Sequence, residues 1–227
     1  MSQYLKIAVI GDYNFTYNSH HATNLAIEHS EKFLECNINH YWISIQEAST
    51  FNEKHFSEYD GIFIAPGPYK NPFFLRGILR VLLRCDIPVL ATDKAYEQLI
   101  ECLLLQAEVN FSSDKVISNN LVEDSVFQRI EIQPKTDLLK KLYMSHSNIE
   151  LSSSRFAVYP HVLEYLTQEK LQIEALNQFD DPEIVSLKES YFYVSCMFCP
   201  QVSSTREMPH PLINEFFRKV MAKVEKV

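Results

Sequence analysis

Short apolar runs alternate with segments of helical spacing along the first half of the chain. The runs at 5–10, 61–65 and 87–91 are nearly continuous in apolar residues, which is typical of buried parallel strands. Between the last two runs, the segment 74–83 carries apolar residues at helical spacing. This pattern predicts a strand, a crossover helix and a parallel strand, followed directly by a second helix at 94–107.

Two further elements extend this pattern towards the N-terminus. The segment 20–33 has helical spacing, and 40–45 reads as a second strand. Four strands in succession, most of them followed by a helix, predict an α/β fold of the flavodoxin-like kind. Such a fold has a mostly parallel central sheet with helices on both faces.

The second half has a different period. Apolar and polar residues largely alternate at 126–132, 171–176 and 191–196, which predicts a small antiparallel extension with one solvated face. Short helices are predicted at 137–143 and 162–165, and a longer one at 211–224. Since there is no internal repeat and no linker, we expect a single domain spanning 1–227.

The charge, the apolar runs and the cysteine content of the chain argue against several classes of partner and location. A net charge of −8 over 227 residues argues against nucleic-acid partners and against binding to anionic membranes. No apolar run has the length of a membrane span, and the first strand leaves no room for a signal peptide, so we expect a cytoplasmic protein. Five cysteines, an odd number in mostly apolar surroundings, favour buried thiols over a disulfide framework.

Two turns are the first places to look for chemistry, because ligands of open α/β sheets bind at the carboxyl ends of strands. At the first turn, a backbone amide of Gly67 or Tyr69 could hold an oxyanion, or the turn could be purely structural. At the second, Asp93 could act as a base, a nucleophile or a ligand anchor, or it could simply cap the next helix. Lys94 could neutralise Asp93 or point to solvent.

Four stretches resemble one family. They are KIAVIGD at 6–12, YDGIFIAPGPY at 59–69, IPVLATDKAYEQ at 87–98, and 193–201 with the His-Pro pair at 210–211. Together these stretches resemble class I glutamine amidotransferase domains, in particular the C-terminal domain of CTP synthase. The APGPY turn is similar to the stand-alone proteins related to that C-terminal region. The resemblance implies the same fold over nearly the whole chain.

The residues that carry the family's chemistry differ here. Family members hydrolyse glutamine with a cysteine thiolate at a tight strand-to-helix elbow, activated by a histidine that a glutamate orients. By this resemblance Asp93 occupies the cysteine position, and the His-Pro-Glu position reads Cys199-Pro200-Gln201. The resemblance therefore implies that ordinary glutaminase activity is absent. No P-loop of the kind that would bind a nucleotide occurs.

Cysteine and histidine pairs offer further candidates. Cys196 and Cys199 have the spacing C-x-x-C, but structural thiols are favoured over zinc or redox chemistry because no second ligand pair accompanies them. A reversal of roles, in which Asp93 activates Cys199, stays open. One of His20 and His21 could line a pocket, although adjacent histidines on a helix do not suit a joint metal site.

Three hypotheses follow for the function. The first is a catalytically degenerate binding or regulatory protein with a small-molecule ligand in a cleft between Gly67, Asp93 and Cys199. The second is a divergent hydrolase or transferase, acting on an amide, an ester or a nucleotide-derived substrate, that reuses Asp93. The third is an interaction protein whose cleft is filled. By the resemblance, Arg155 and Tyr159 are further ligand candidates.

Assembly and cofactors are the remaining expectations. An apolar edge strand or the final helix could support a homodimer. We expect neither a cofactor nor a metal.

Overall fold

A computed structural model describes residues 4–107, 117, 127–153 and 156–226. The first half contains β1 (Tyr4–Ile10), α1 (Asn18–Phe33), β2 (Asn37–Ile43), α2 (Ile45–Ala48), α3 (Glu53–Phe56), β3 (Gly61–Ile64), α4 (Pro72–Leu82), β4 (Val89–Thr92) and α5 (Lys94–Gln106). The second half contains β5 (Gln128–Pro134), α6 (Asp137–Tyr143), β6 (Ile149–Ser152), α7 (Pro160–Glu169), β7 (Leu171–Asn177), β8 (Pro182–Leu187), β9 (Tyr193–Cys196), α8 (Pro200–Ser203) and α9 (Pro211–Val224).

All the strands of the described chain belong to one sheet. Their order is β2-β1-β3-β4-β9-β8-β7-β5-β6. The pairs from β2 to β9 are parallel, and those from β9 to β6 are antiparallel. The predicted flavodoxin-like α/β fold with an antiparallel extension is therefore confirmed. Because β1, β3 and β4 run in the same direction, the loops that follow them meet at one edge of the sheet.

The core lies on both faces of this sheet. Successive residues of β3 point to opposite sides, so that Ile62 and Ile64 pack in one apolar cluster and Phe63 in the other. The first cluster is covered by α4, α5 and α7, and the second by α1, α6 and α9. Helices therefore bury both faces, which explains why β1, β3 and β4 are nearly continuous apolar runs.

The prediction for β9 was wrong in one respect. We expected 191–196 to be an antiparallel strand with a solvated face, but all four residues of Tyr193–Cys196 are buried. This strand lies in the middle of the sheet, parallel to β4 and antiparallel to β8. Its central position removes the solvated face. The pattern also missed β6 and β8, and residue 126 of the predicted strand at 126–132 lies outside the described residues.

No helix in the described part of the chain combines the length and the apolar character needed to cross a membrane. The five cysteines are all free thiols; Cys102, Cys196 and Cys199 are buried as predicted, whereas Cys36 and Cys85 are partly exposed.

Gly61 lets α9 approach the sheet closely. A Cβ at this position would lie 2.6 Å from Cγ2 of Val220 and 3.0 Å from Cζ of Phe216. We predict that Gly61→Ala lowers the free energy of unfolding by about 1–3 kcal/mol, because the buried helix must shift. Equilibrium urea unfolding measures this change.

Gly77 provides the matched control. It is exposed within α4, and a Cβ there would meet nothing within 4 Å. Gly77→Ala should raise the free energy of unfolding by about 0.5–1 kcal/mol, since it only removes backbone freedom from the unfolded chain. Equal effects of the two substitutions would contradict the packing described for Gly61.

Candidate functional site

Asp93 forms the turn between β4 and α5 in a strained backbone conformation. Its φ is 58° and its ψ is −126°, a region that side chains other than glycine seldom adopt. Its N–H donates to the carbonyl oxygens of Cys196 at 2.9 Å and Phe198 at 3.2 Å, and its own carbonyl accepts from the N–H of Tyr96 at 2.9 Å. This is the geometry of an elbow that presents one side chain at the carboxyl edge of a sheet.

The side chain of Asp93 is only 1 % exposed and does not cap the helix. Instead Oδ1 accepts a hydrogen bond from Oγ of Ser153 at 3.1 Å. The interpretation of Asp93 as a helix cap is therefore wrong. The physical reason is the positive φ, since a capping residue has an extended backbone that turns its side chain back onto the first helical N–H groups.

A cleft of about 440 Å³ opens beside this turn. It is lined by the start of α1 and the two residues before it, by the turn after β3, by the elbow, and by the residues that precede β5 and follow β6. These residues are Thr16, Tyr17, Asn18, Ser19, Gly67, Pro68, Asp93, Lys94, Phe127 and Ser153. The fold thus brings Gly67 and Asp93 to one cleft, together with Lys94, whereas Cys199, the third residue predicted for this cleft, does not line it. A Cβ on Gly67 would lie 2.9 Å from Cδ of Lys94, so the aliphatic stem of Lys94 packs against this glycine.

Tyr69 supports the turn from within. Its hydroxyl donates to the carbonyl oxygen of Ala65 at 2.6 Å, and its side chain is buried. Burial, reinforced by the charge of Asp93, raises the pKa of Tyr69 well above its ordinary value. The phenol therefore stays protonated. Its hydrogen bond stabilises the turn, and Tyr69 does not line the cleft.

His20 holds the same turn from the side of α1. Its Nδ1 accepts the N–H of Asn14 at 3.0 Å, so Nε2 carries the proton and donates to the carbonyl oxygen of Pro66 at 3.0 Å. The ring is fully buried, and burial lowers the pKa of His20. The ring of His20 is thus neutral, and its two hydrogen bonds fix the position of the turn before Gly67. His20 does not line the cleft.

Cys199 and Gln201 lie behind the elbow. Cys199 is fully buried, and burial, followed by the charge of Asp93, raises the pKa of its thiol well above its ordinary value. Nε2 of Gln201 lies 3.5 Å from Oγ1 of Thr92, and Oε1 of Gln201 has no partner among the described residues. Neither side chain lines the cleft, so its wall is formed by Asp93 and Ser153 instead.

The two remaining ligand candidates do not join the site. Tyr159 precedes α7, is 37 % exposed and stacks on the ring of His161. Arg155 lies outside the described residues.

Ser153 and Phe127 are cleft residues that the sequence analysis missed. Ser153 follows β6, a strand with too few residues to show an alternating pattern, and it stands in a run of serines. Phe127 precedes β5, which pairs with β6. Their approach to the elbow depends on the pairing of the antiparallel extension, which no local motif encodes.

His146, Glu150 and His210 form a cluster whose donor atoms lie within 4.8 Å of one another. Nδ1 of His210 accepts the N–H of Leu212 at 3.2 Å, so Nε2 carries the proton that it donates to Oε1 of Glu150 at 2.8 Å. A metal would need the lone pair that this proton occupies. His210 and Glu150 therefore form a buried hydrogen-bonded pair, and the side chain of His210 also caps α9.

A comparison with solved structures identifies the fold to which this chain belongs. The glutaminase domain of Trypanosoma brucei CTP synthase, solved with bound acivicin, superposes with a TM-score of 0.77 at 20% identity, over 96% of this chain and 94% of that chain. The chain has the class I glutamine amidotransferase fold.

Two further structures share this architecture. A putative GMP synthase component from Thermoplasma acidophilum matches with a TM-score of 0.64 at 10% identity, over 97% of this chain and 96% of that one. A putative ThuA-like protein from Bacteroides uniformis matches with a TM-score of 0.57 at 8% identity, over 96% and 91%. No family model matches the chain. At these identities the likeness concerns the fold alone.

The buried His20 predicts a pH-dependent stability. Unfolding returns His20 to its ordinary pKa of 6.5, whereas the folded ring resists protonation, so stability is retained above pH 6.5 and falls as the pH decreases below it. We predict that His20→Phe lowers the free energy of unfolding by about 1–3 kcal/mol near neutral pH, since two hydrogen bonds are lost. Its stability should also depend less on pH than that of the wild type. Urea unfolding above and below pH 6.5 measures both effects.

His161→Phe is the control, because His161 is exposed. It should leave the pH dependence of the wild type intact. A His20→Phe variant that loses stability on acidification as steeply as the wild type would contradict the role given to His20.

Proposed function

We propose that this protein is a glutamine amidotransferase-like binding protein that has lost thiol-dependent hydrolysis of glutamine and retains the cleft for a small ligand. The observation that carries the proposal is the elbow itself. A strained turn with φ of 58° is maintained at Asp93, where a carboxylate and not a thiolate is presented. Strain of this kind costs on the order of 1–3 kcal/mol and is typically maintained where a site needs it.

The residues behind the elbow support the loss of hydrolysis. A general base must reach the proton that it removes and must titrate near the working pH. Cys199 is buried with a raised pKa, and its thiol is a hydrogen-bond partner of Ser153. Gln201 carries no titratable group. Neither residue can activate a nucleophile as a histidine oriented by a glutamate would.

The cleft supports a retained ligand. About 440 Å³ is enough for a small metabolite, and the lining combines polar groups of Thr16, Asn18 and Ser19 with the aromatic rings of Tyr17 and Phe127. Tyr17 is 38 % exposed and Phe127 36 % exposed, so both rings present apolar surface at the mouth. Aromatic side chains combined with a few polar groups are typical of small-molecule sites.

The first test is a glutaminase assay. The purified protein should release no ammonia from glutamine above the blank without protein, because no thiolate is present at the elbow. Turnover of glutamine that disappears in Asp93→Ala would overturn the loss of hydrolysis.

Ligand retention is tested by screening metabolites with thermal-shift measurements. Compounds that bind the cleft should lose at least about tenfold in affinity in Asp93→Asn, since the charge of a cleft residue is removed. Asp180→Asn is the matched control, because Asp180 also has a positive φ of 63° but is exposed and does not line the cleft. Hits that respond equally to both substitutions would count against a ligand site at the elbow.

A divergent hydrolase is a second candidate, favoured by the contact between Ser153 and Asp93. The 3.1 Å between Oγ and Oδ1 is within the range of a nucleophile and its base. In such a reaction Asp93 would accept the Ser153 proton while Oγ attacks an ester carbonyl. The alcohol would leave with that proton, and water would then release the acid from the acyl-serine.

The test of this candidate is hydrolysis of p-nitrophenyl acetate with mass spectrometry of the protein. During turnover an acetyl group should accumulate on Ser153, where mass spectrometry detects it. Asp93→Asn should reduce the rate of hydrolysis by about 10²-fold or more. Ser57→Ala, at an exposed serine, is the control. Absence of the adduct, or activity that persists in Ser153→Ala, would exclude this candidate.

A further inference from the structure

Strand β2 forms one edge of the sheet and lacks the features that protect such edges. In the described sheet it pairs with β1 alone, over the residues Asn37–Ile43 and in a register without a bulge. Its sequence, NINHYWI, contains no lysine, arginine, aspartate, glutamate or proline. Proteins usually protect a sheet edge with charged side chains, proline, a bulge or a short strand, because an open edge can pair with another chain.

The opposite edge of the sheet is protected. There β6 is short, Ile149–Ser152, and includes the charged residue Glu150. The N–H of Cys199 donates to the carbonyl oxygen of Leu151 at 3.0 Å, so the segment before α8 already covers this edge. Of the two edges of the described sheet, β2 is therefore the open one.

The hydrogen bonds of β2 show which of its backbone groups face outward. The carbonyl oxygen of Ile43 accepts the N–H of Gly11 at 3.0 Å, so Ile43 faces β1. Because the direction alternates along a strand, Tyr41 also faces β1, whereas His40 and Trp42 direct their N–H and carbonyl groups away from the sheet. These outward groups have no partner among the described residues. Both residues are partly exposed, and Tyr41 between them is 47 % exposed.

Glu31 limits how a further strand can add to this edge. Its carboxylate accepts the outward N–H of Ile38 at 2.8 Å, so this donor is already satisfied. A strand that paired along the whole of β2 would have to displace the carboxylate. A strand that pairs only over residues 40–42 displaces nothing and uses all the free groups.

We propose that two copies of this chain associate through β2, antiparallel to each other, about a two-fold axis at Tyr41. His40 of each copy then lies opposite Trp42 of the other, and each of these pairs exchanges both of its backbone hydrogen bonds. A second copy fits because it offers the same donors and acceptors at the same spacing. An isologous contact of this kind closes on itself and gives a dimer.

The side chains at the axis suit this arrangement. Tyr41 of one copy faces Tyr41 of the other as a pair without hydrogen bonds, the kind in which side chains lie closest, and aromatic pairs across strands are favourable. The ring of Tyr41 already lies edge-on to that of Tyr59, with centroids 6.5 Å apart, so it loses less freedom on association. The net charge of −8 repels two copies, whereas the paired strands carry no acidic or basic side chain. The dimer should therefore become more stable when salt screens the repulsion.

Amide hydrogen exchange of the wild-type chain, measured by NMR, tests the hydrogen bonds directly. The N–H of Tyr41, which faces β1, should be protected at every protein concentration. Those of His40 and Trp42 should exchange at least about tenfold more slowly at concentrations where sedimentation velocity shows dimers than in dilute protein. A chain that stays monomeric up to its solubility limit would overturn the proposal and leave this edge to a strand of another protein. A dimer that leaves these two N–H groups unprotected would overturn it as well.

Charge substitutions at Tyr41 test the two-fold axis. Tyr41→Lys and Tyr41→Glu should each weaken the dimer at least about tenfold, because like charges then face each other. An equimolar mixture of the two variants should dimerise again, since opposite charges meet across the axis. Tyr159→Lys, at an exposed tyrosine before α7, is the control and should dimerise as the wild type does. Dimers that tolerate both substitutions, or variants that stay monomeric when mixed, would contradict the axis. Since hydrogen exchange uses the wild-type chain, it decides the question even if a variant does not fold.

Discussion

The candidate site depends on one pair of backbone hydrogen bonds. The N–H of Asp93 donates to the carbonyl oxygens of Cys196 and Phe198, which joins the turn after β4 to the end of β9 and the segment that follows it. These bonds hold the positive φ in place, because a strained turn persists only where its surroundings determine it. Loss of this link would release the elbow, and the cleft would lose the wall that Asp93 forms.

The parallel half of the fold could be predicted from sequence, and the antiparallel half only in part. Continuous apolar runs such as 61–65 identify strands buried on both faces, and the helix between them has a clear amphipathic period. The alternation at 191–196 was a weaker guide, since Tyr193–Cys196 is buried on both faces in the middle of the sheet. The short strand Ile149–Ser152 has too few residues for any period to be evident.

The same limit applies to the site. The turns with Gly67 and Asp93 could be located because the carboxyl ends of adjacent parallel strands meet at one edge. Ser153 could not be located, because its contact with Asp93 spans sixty positions and depends on how β6 pairs with β5. His20 was considered as a pocket residue, but it is buried behind the turn, where two backbone contacts that sequence does not reveal hold it.

The backbone at the elbow is fixed by main-chain atoms, and this has an evolutionary consequence. The carbonyl groups that hold residue 93 belong to Cys196 and Phe198, and its side chain takes no part in those bonds. Apart from the restriction that the positive φ imposes, the main-chain bonds that shape the turn therefore do not depend on which side chain it displays. A lineage with this scaffold can exchange one reactive group for another, or discard reactivity altogether, while the polypeptide around it keeps its shape.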